Sequence, residues 1–242
     1  GKMATMYPDV IRTIAEKGHE IGCHSDVHLW LTRFDHQQLK EDTHSAIMAL
    51  EDLIGKKVIS YRAPAFSICP DNKWAFEVLA ECGIECDASI YPSRRDFGGF
   101  PSFKVDKPCL VNVGDVILKE FPVCMSHVLG KTMAYSGGGY FRLFPYWFVR
   151  NQMRKSEYTI AYFHIGDLMP LMNEGLQSKE LFERQYGIKG SYINRRLRHF
   201  KKNVGRDTAF ERMSRLIKEF NFINIQEAND KINWDEMQRI EL

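Results

Sequence analysis

The sequence predicts an α/β fold, and three observations carry that prediction. Helical apolar stripes alternate with short apolar runs along the chain, the pattern of helices laid against a parallel sheet. At 242 residues the chain is long enough for one large domain with a sizeable core. No repeat, low-complexity tract or linker divides it, so residues 1–242 read as a single domain.

The elements follow in order. Pro8 stands where a helix begins, Val10, Ile11, Ile14 and Ala15 follow at helical spacing, and Gly18 lies just past the end. His19–Cys23 reads as a short buried strand. Asp35 and Gln38 have the spacing of a capping box, and Leu39, Ala46, Ile47, Leu50, Leu53 and Ile54 form a stripe that Gly55 closes. Val58–Tyr61 is the next strand, ending at Arg62 and Pro64. Asp71 is expected to cap a helix through Trp74, Phe76, Val78 and Leu79 that stops at Gly83, with a strand over Ile84–Ala88 after it.

Residues 91–112 read as an irregular loop, Val113–Phe121 as a strand, and the glycine run Gly137–Gly139 as a turn before a helix. A further helix is expected from about Pro145 to Arg154. "YTIAYFHI" at 158–165 is the clearest strand pattern and ends on His164. A polar stretch at 173–192, the basic run "NRRLRHFKKNVGR", a helix around 207–220 and a strand "FINIQ" complete the chain.

Composition excludes several classes. The 33 basic and 31 acidic residues leave a net charge of +2, which gives no reason to expect nucleic acid as a partner. No run approaches the roughly 18 apolar residues of a membrane span. Six cysteines without paired Cys-x-x-Cys sets point to reduced thiols and a cytoplasmic setting. The chain begins at Gly1 rather than methionine, so any signal peptide or anchor lies outside it.

The chemistry concentrates in "GHEIGCHSDVH", residues 18–28. His24 follows the strand read at 19–23 and His28 lies four residues on, a spacing that lets two neutral imidazoles face one Zn²⁺ ion. The same spacing also suits a polar loop whose histidines bond to nearby backbone. Arg62 in "SYRAPAFSI" and His164 in "AYFHI" likewise stand at strand ends, where parallel sheets and barrels gather reactive groups.

Six ordered motifs, "GHEIGCHSDVH", "YRAPAFSI", "ECDASIYPSRRDFGGFP", "SGGGYFRL", "YFHIGDL" and "RRLRHFKKN", resemble the polysaccharide deacetylases of the NodB-homology family. The closer likeness is to the bacterial branch found in exopolysaccharide gene clusters, in which 173–242 corresponds to a C-terminal extension. The resemblance implies a distorted (β/α) barrel and hydrolysis of the acetamide of an N-acetylated sugar in a polysaccharide or oligosaccharide. It implies His24 and His28 as metal ligands, with Zn²⁺ the chemical favourite and Co²⁺ or another first-row ion an alternative.

By the same resemblance Arg62 orients the catalytic base, His164 is the general acid, and Asp87 tunes that histidine. Pro64, Tyr140 and Asp167 are the expected substrate contacts, Tyr140 by stacking. The family's first motif, a strand ending in paired aspartates that supply the third ligand and the base, would fall upstream of Gly1. The fragment is therefore expected to lack its first strand. After His164 the chain has Ile165, Gly166 and Asp167 where the branch has Pro, Trp and Glu. A glycan-binding relative without metal is the alternative function. The basic residues Arg195, Arg196, Arg198, Lys201, Lys202 and Arg206 read as a solvated helix face, or as contact with an anionic polysaccharide or membrane surface. Oligomeric state is not legible.

Overall fold

A computed structural model describes residues 1–95, 97–128, 130–169 and 175–242. Residues 173–174 of the stretch read as polar, and Asp96 of the loop at 91–112, lie outside the described residues. The chain forms two compact units, one of residues 1–125 and 223–242 and the other of residues 126–222. The first contains α1 (Lys2–Met6), α2 (Pro8–Glu16), α3 (His36–Ile54), β1 (Ser60–Tyr61), α4 (Ala75–Glu81), β2 (Cys86–Asp87), β3 (Cys109–Val113) and β4 (Val116–Glu120). Next come β5 (Met125–Val128), β6 (Lys131–Ala134), α5 (Gly138–Leu143), α6 (Tyr146–Lys155), α7 (Ile165–Leu168), α8 (Lys179–Tyr186), α9 (Tyr192–Asn203) and α10 (Arg206–Glu219). The last elements, α11 (Ile225–Lys231) and β7 (Arg239–Glu241), belong to the first unit again.

The α/β class is as expected. In the first unit the strand order is β1-β2-β4-β3-β7, and β1, β2 and β4 run parallel. α3 begins as its sequence dictates: Asp35 accepts the Gln38 N–H at 2.9 Å while the Gln38 side chain accepts the Asp35 N–H at 3.1 Å. It ends at Gly55, which takes the left-handed conformation at φ 63°. Its buried face of Leu39, Ala46 and Leu50 packs into a core with Leu31, Phe76 and Leu79. Each such side chain withdrawn from water contributes roughly 1.5–3 kcal/mol.

Several elements differ from the sequence pattern. Of the strand read at His19–Cys23 only Cys23 pairs, in a single parallel bridge to Tyr61, and the exposed His19 and Gly22 show that the segment is not buried. Asp71 sits in a 3₁₀ turn, Pro70–Asn72, and the following helix starts at Ala75 without a side-chain cap. The strand read as Val113–Phe121 is a hairpin: β3 and β4 pair antiparallel across Gly114, whose φ of 54° admits the reversal, and β3 takes the end of the loop read at 91–112.

"FINIQ" has no ladder partner, and Asn224 instead caps α11, so the terminal strand of the sheet is β7. Among the described residues "YTIAYFHI" is assigned to no strand and shows a bridge from Tyr162 to Gly137. β-propensity expresses itself only where a neighbouring strand accepts the ladder. At that bridge a Cβ on Gly137 would stand 2.1 Å from the Tyr162 carbonyl oxygen, so close approach, rather than flexibility alone, accounts for glycine there. The second unit has its own core of Phe141, Val149, Phe182 and Leu216.

Candidate active site

The ladder of the first unit aligns its functional residues. Cys23 pairs with Tyr61, Tyr61 with Asp87, and Asp87 with Glu120, all parallel. His24 and Arg62 are therefore the residues next in line at the C-terminal edge of two adjacent chains, the Arg62 N–H still donating to the Cys23 carbonyl at 3.0 Å, and at such edges parallel sheets gather reactive groups. His24 Nδ1 lies 2.5 Å from the Arg62 carbonyl oxygen. A carbonyl only accepts, so Nδ1 carries the proton and Nε2 the lone pair, the tautomer a metal ligand requires.

The His28 ring lies 5.0 Å from the His24 ring, nearly edge-on at 74°. The connecting loop is strained. Ser25 and His28 both adopt positive φ, 69° and 57°, which costs roughly 1–2 kcal/mol for each non-glycine residue. Asp42 of α3 holds that loop, its carboxylate accepting the Asp26 N–H at 3.0 Å and the Val27 N–H at 3.1 Å. Ser25 Oγ accepts the His28 N–H at 3.1 Å. Charge-assisted bonds of about 1.5–3 kcal/mol each are sufficient to offset the strain.

Arg62 Nε donates to the Ala88 carbonyl at 3.0 Å, and its guanidinium lies 5.7 Å from the Phe66 ring. Pro64 is buried and opens a 3₁₀ turn in which Ala65 and Phe66 also have positive φ, 57° and 54°. Ala63 N donates to Ser89 Oγ at 2.7 Å, and Ser89 Oγ in turn donates to Asp87 at 2.6 Å. Consecutive strained residues beside the two candidate histidines are the pattern of an over-determined functional loop.

Asp87 and Glu120 are paired in register and both fully buried. Burial pushes the Asp87 carboxyl up, partly countered by bonds from Glu120 and Ser89 and by the Arg62 charge. Burial, then the charge of Asp87, raises the Glu120 carboxyl well above the usual carboxylate range. Glu120 Oε2 is buried and receives no donor. A proton on Glu120 supplies the bond to Asp87 that two carboxylates cannot form.

In the second unit His164 caps α7. Its backbone N–H donates to Asp167 Oδ2 at 3.0 Å, and its Nδ1 lies 3.3 Å from the same oxygen. Asp167 also meets Arg142 at 3.1 Å. Burial raises the Asp167 carboxyl, but the bonds from His164 and the Arg142 charge outweigh it and leave the carboxyl below its ordinary value. Asp167, expected as a substrate contact, lies against both the backbone and the ring of His164. The imidazole itself is 83% exposed. Tyr140 is half-buried on α5.

Asp42, Glu120 and Arg142 escaped the sequence reading. Two of them carried a signal. Asp42 interrupts the buried stripe of α3 between Leu39 and Ala46, and Glu120 has the strand parity of the buried Leu118. A charge at a core position is the mark of a fixed polar contact.

The donor set tests whether a metal fits. His24 and His28 suit the nitrogen share of a zinc site, one of them already oriented by a carbonyl. Among the described residues no group of three His, Cys, Asp or Glu side chains could hold an ion. All six cysteines are unbridged and lie outside any such group.

Residues 1–86 match the polysaccharide deacetylase family model. Residues 88–230 match that of a domain of unknown function, DUF3473. Comparison with curated proteins finds no match. Among solved structures, a protein assigned as a polysaccharide deacetylase from Mycobacterium smegmatis is 31% identical over 50% of this chain and 37% of its own, with a TM-score of 0.43. The 4-alpha-glucanotransferase of Thermococcus litoralis shares the fold over 98% of this chain and 32% of its own, at 12% identity and a TM-score of 0.57. Puue allantoinase does so over 93% and 62%, at 16% identity and a TM-score of 0.53. The chain thus spans 37%, 32% and 62% of these three relatives' lengths. The model over residues 88–230 takes in more than half of the chain, so the chain belongs to the family of the domain of unknown function DUF3473, and ahead of that domain it carries a stretch, residues 1–86, that matches the polysaccharide deacetylase model.

Proposed function

We propose that the chain acts in metal-dependent hydrolytic N-deacetylation of a polysaccharide or oligosaccharide. The observation that carries this reading is the His24–Arg62 contact at the C-terminal edge of the parallel ladder, with His28 beside it, in a segment that matches the deacetylase model. His24 Nε2 and the His28 imidazole would hold the ion, Zn²⁺ being the favoured occupant. A divalent ion held there would lower the pKa of bound water to about 7 and polarise an acyl oxygen.

Other residues of the chain have supporting roles in this reading. The Arg62 carbonyl fixes the His24 tautomer, and the Arg62 guanidinium places positive charge beside Asp87, so its proposed role is positioning. For His164 the proposed role is general acid. With Nδ1 turned to Asp167, its Nε2–H is the donor for a departing sugar amine, a transfer that contributes typically 10²–10⁴-fold. Pro64, Tyr140 and Asp167 are retained as proposed substrate contacts.

Zinc titration by calorimetry and acetate release from an N-acetylated hexosamine oligosaccharide test the reading together. Zinc uptake and acetate release are expected of a polypeptide that also carries the paired aspartates which the resemblance places ahead of this sequence, both lost in His24→Ala and His28→Ala and both kept in His19→Ala, whereas the 242-residue chain by itself is expected to be inactive. A folded protein that takes up no zinc and releases no acetate, yet binds the oligosaccharide, would show the glycan-binding alternative instead.

A further inference from the structure

The basic run at 184–206 contains no acidic residue, and the proposed chemistry makes no use of it. Within it α9 is turned inside out. At 100° per residue, Ile193, Leu197 and Phe200, spaced i, i+4, i+7, form one stripe. In a globular protein such a stripe faces the core, yet here Ile193 is 76%, Phe200 58% and Leu197 50% exposed.

The opposite, polar side of the helix faces the protein. Arg195 donates to the carbonyls of Gly190 at 3.1 Å and Gln177 at 2.9 Å, Asn194 donates to that of Lys189 at 2.8 Å, and the Arg198 guanidinium stacks 4.1 Å from the Tyr186 ring. Exposed Arg196 and Lys201 flank the apolar stripe, one on each side. The helix α9 is thus anchored through its polar groups and presents to solvent an apolar strip about 11 Å long, edged by cations.

We propose that α9 is an interfacial helix that seats the protein on an anionic membrane surface, with Ile193, Leu197 and Phe200 among the acyl chains and Arg196 and Lys201 at the phosphate level. Charge complementarity selects this occupant. A hydrated polyanionic glycan would satisfy the cations but leave the stripe in water, whereas anionic lipid satisfies both. The inference does not depend on the deacetylase reading.

The test is sedimentation of the 242-residue chain with phosphatidylcholine vesicles, with and without one-third phosphatidylglycerol. Uptake by the anionic vesicles, weak on neutral ones and reduced by salt, is expected. Arg196→Gln with Lys201→Gln should weaken uptake roughly 25-fold, about fivefold per cation. Leu197→Glu with Phe200→Glu should abolish it, with circular dichroism and melting unchanged because these side chains are exposed. Equal uptake by both vesicles, no uptake, or uptake that survives the glutamate pair would overturn the proposal. So would a dimer that the glutamate pair converts to monomer without any vesicle uptake, which would give the strip to a second copy of the chain.

Discussion

Asp167 illustrates how one carboxylate sets the behaviour of its neighbours. It accepts from the His164 backbone, faces Nδ1 of the same residue, and is itself held by Arg142, whose buried guanidinium also donates to the carbonyls of Lys202 and Val204. An exposed imidazole is thereby fixed by a partner that is 12% exposed. Asp167→Asn keeps the shape and removes the charge. In acetate release it should lower kcat about 10²-fold while KM stays unchanged, the signature of a group that acts on a proton rather than on binding. A raised KM at constant kcat would instead return Asp167 to the substrate-contact role that its sequence position implied.

At the scale of elements, the loop 25–28 depends on α3. The helix is one of the most legible parts of the chain, since its capping box, apolar stripe and closing glycine all agree. What its periodicity does not disclose is that Asp42 leaves the helix face to hold two backbone N–H groups of the histidine loop. Asp42→Ala leaves those donors without their acceptor and releases two residues from positive φ. The expected cost is roughly 2–4 kcal/mol of unfolding free energy, read by urea denaturation, together with weaker zinc uptake. Undiminished zinc affinity would show that the loop holds its shape alone. The short strands were less legible, because a two-residue ladder such as β1 or β2 lacks the length for periodicity to be read.

For the whole molecule, the buried Asp87–Glu120 pair makes stability depend on pH. Both carboxyls have folded values raised above their unfolded ones, Glu120 the more. Between the unfolded and folded values the native state binds more protons than the unfolded chain, so stability falls as pH rises. The loss begins near the ordinary glutamate value of 4.5 and continues upward. Glu120→Gln provides a permanent N–H for Asp87 and removes the proton uptake. Its melting temperature should therefore be flatter than that of the wild type across the same range. Parallel pH profiles for the two proteins would mean that Glu120 carries no proton in the native state.

The sequence by itself determined the α/β class and the helices α2, α3 and α10 within a residue or two, and it nominated His24, His28, Arg62 and His164 as candidates for the chemistry. These are local properties: caps, apolar spacing and the order of motifs are written in neighbouring residues. Only the tertiary structure decided which apolar runs pair. Cys23 bridges Tyr61 and Tyr162 of "YTIAYFHI" bridges Gly137, because a ladder requires a second chain at the right distance and register. The same holds for the polar contacts: Asp42 beneath the histidine loop, Glu120 against Asp87, and Asp167 between His164 and Arg142. Each joins groups whose meeting depends on burial and on the path of the backbone, which residue order does not record.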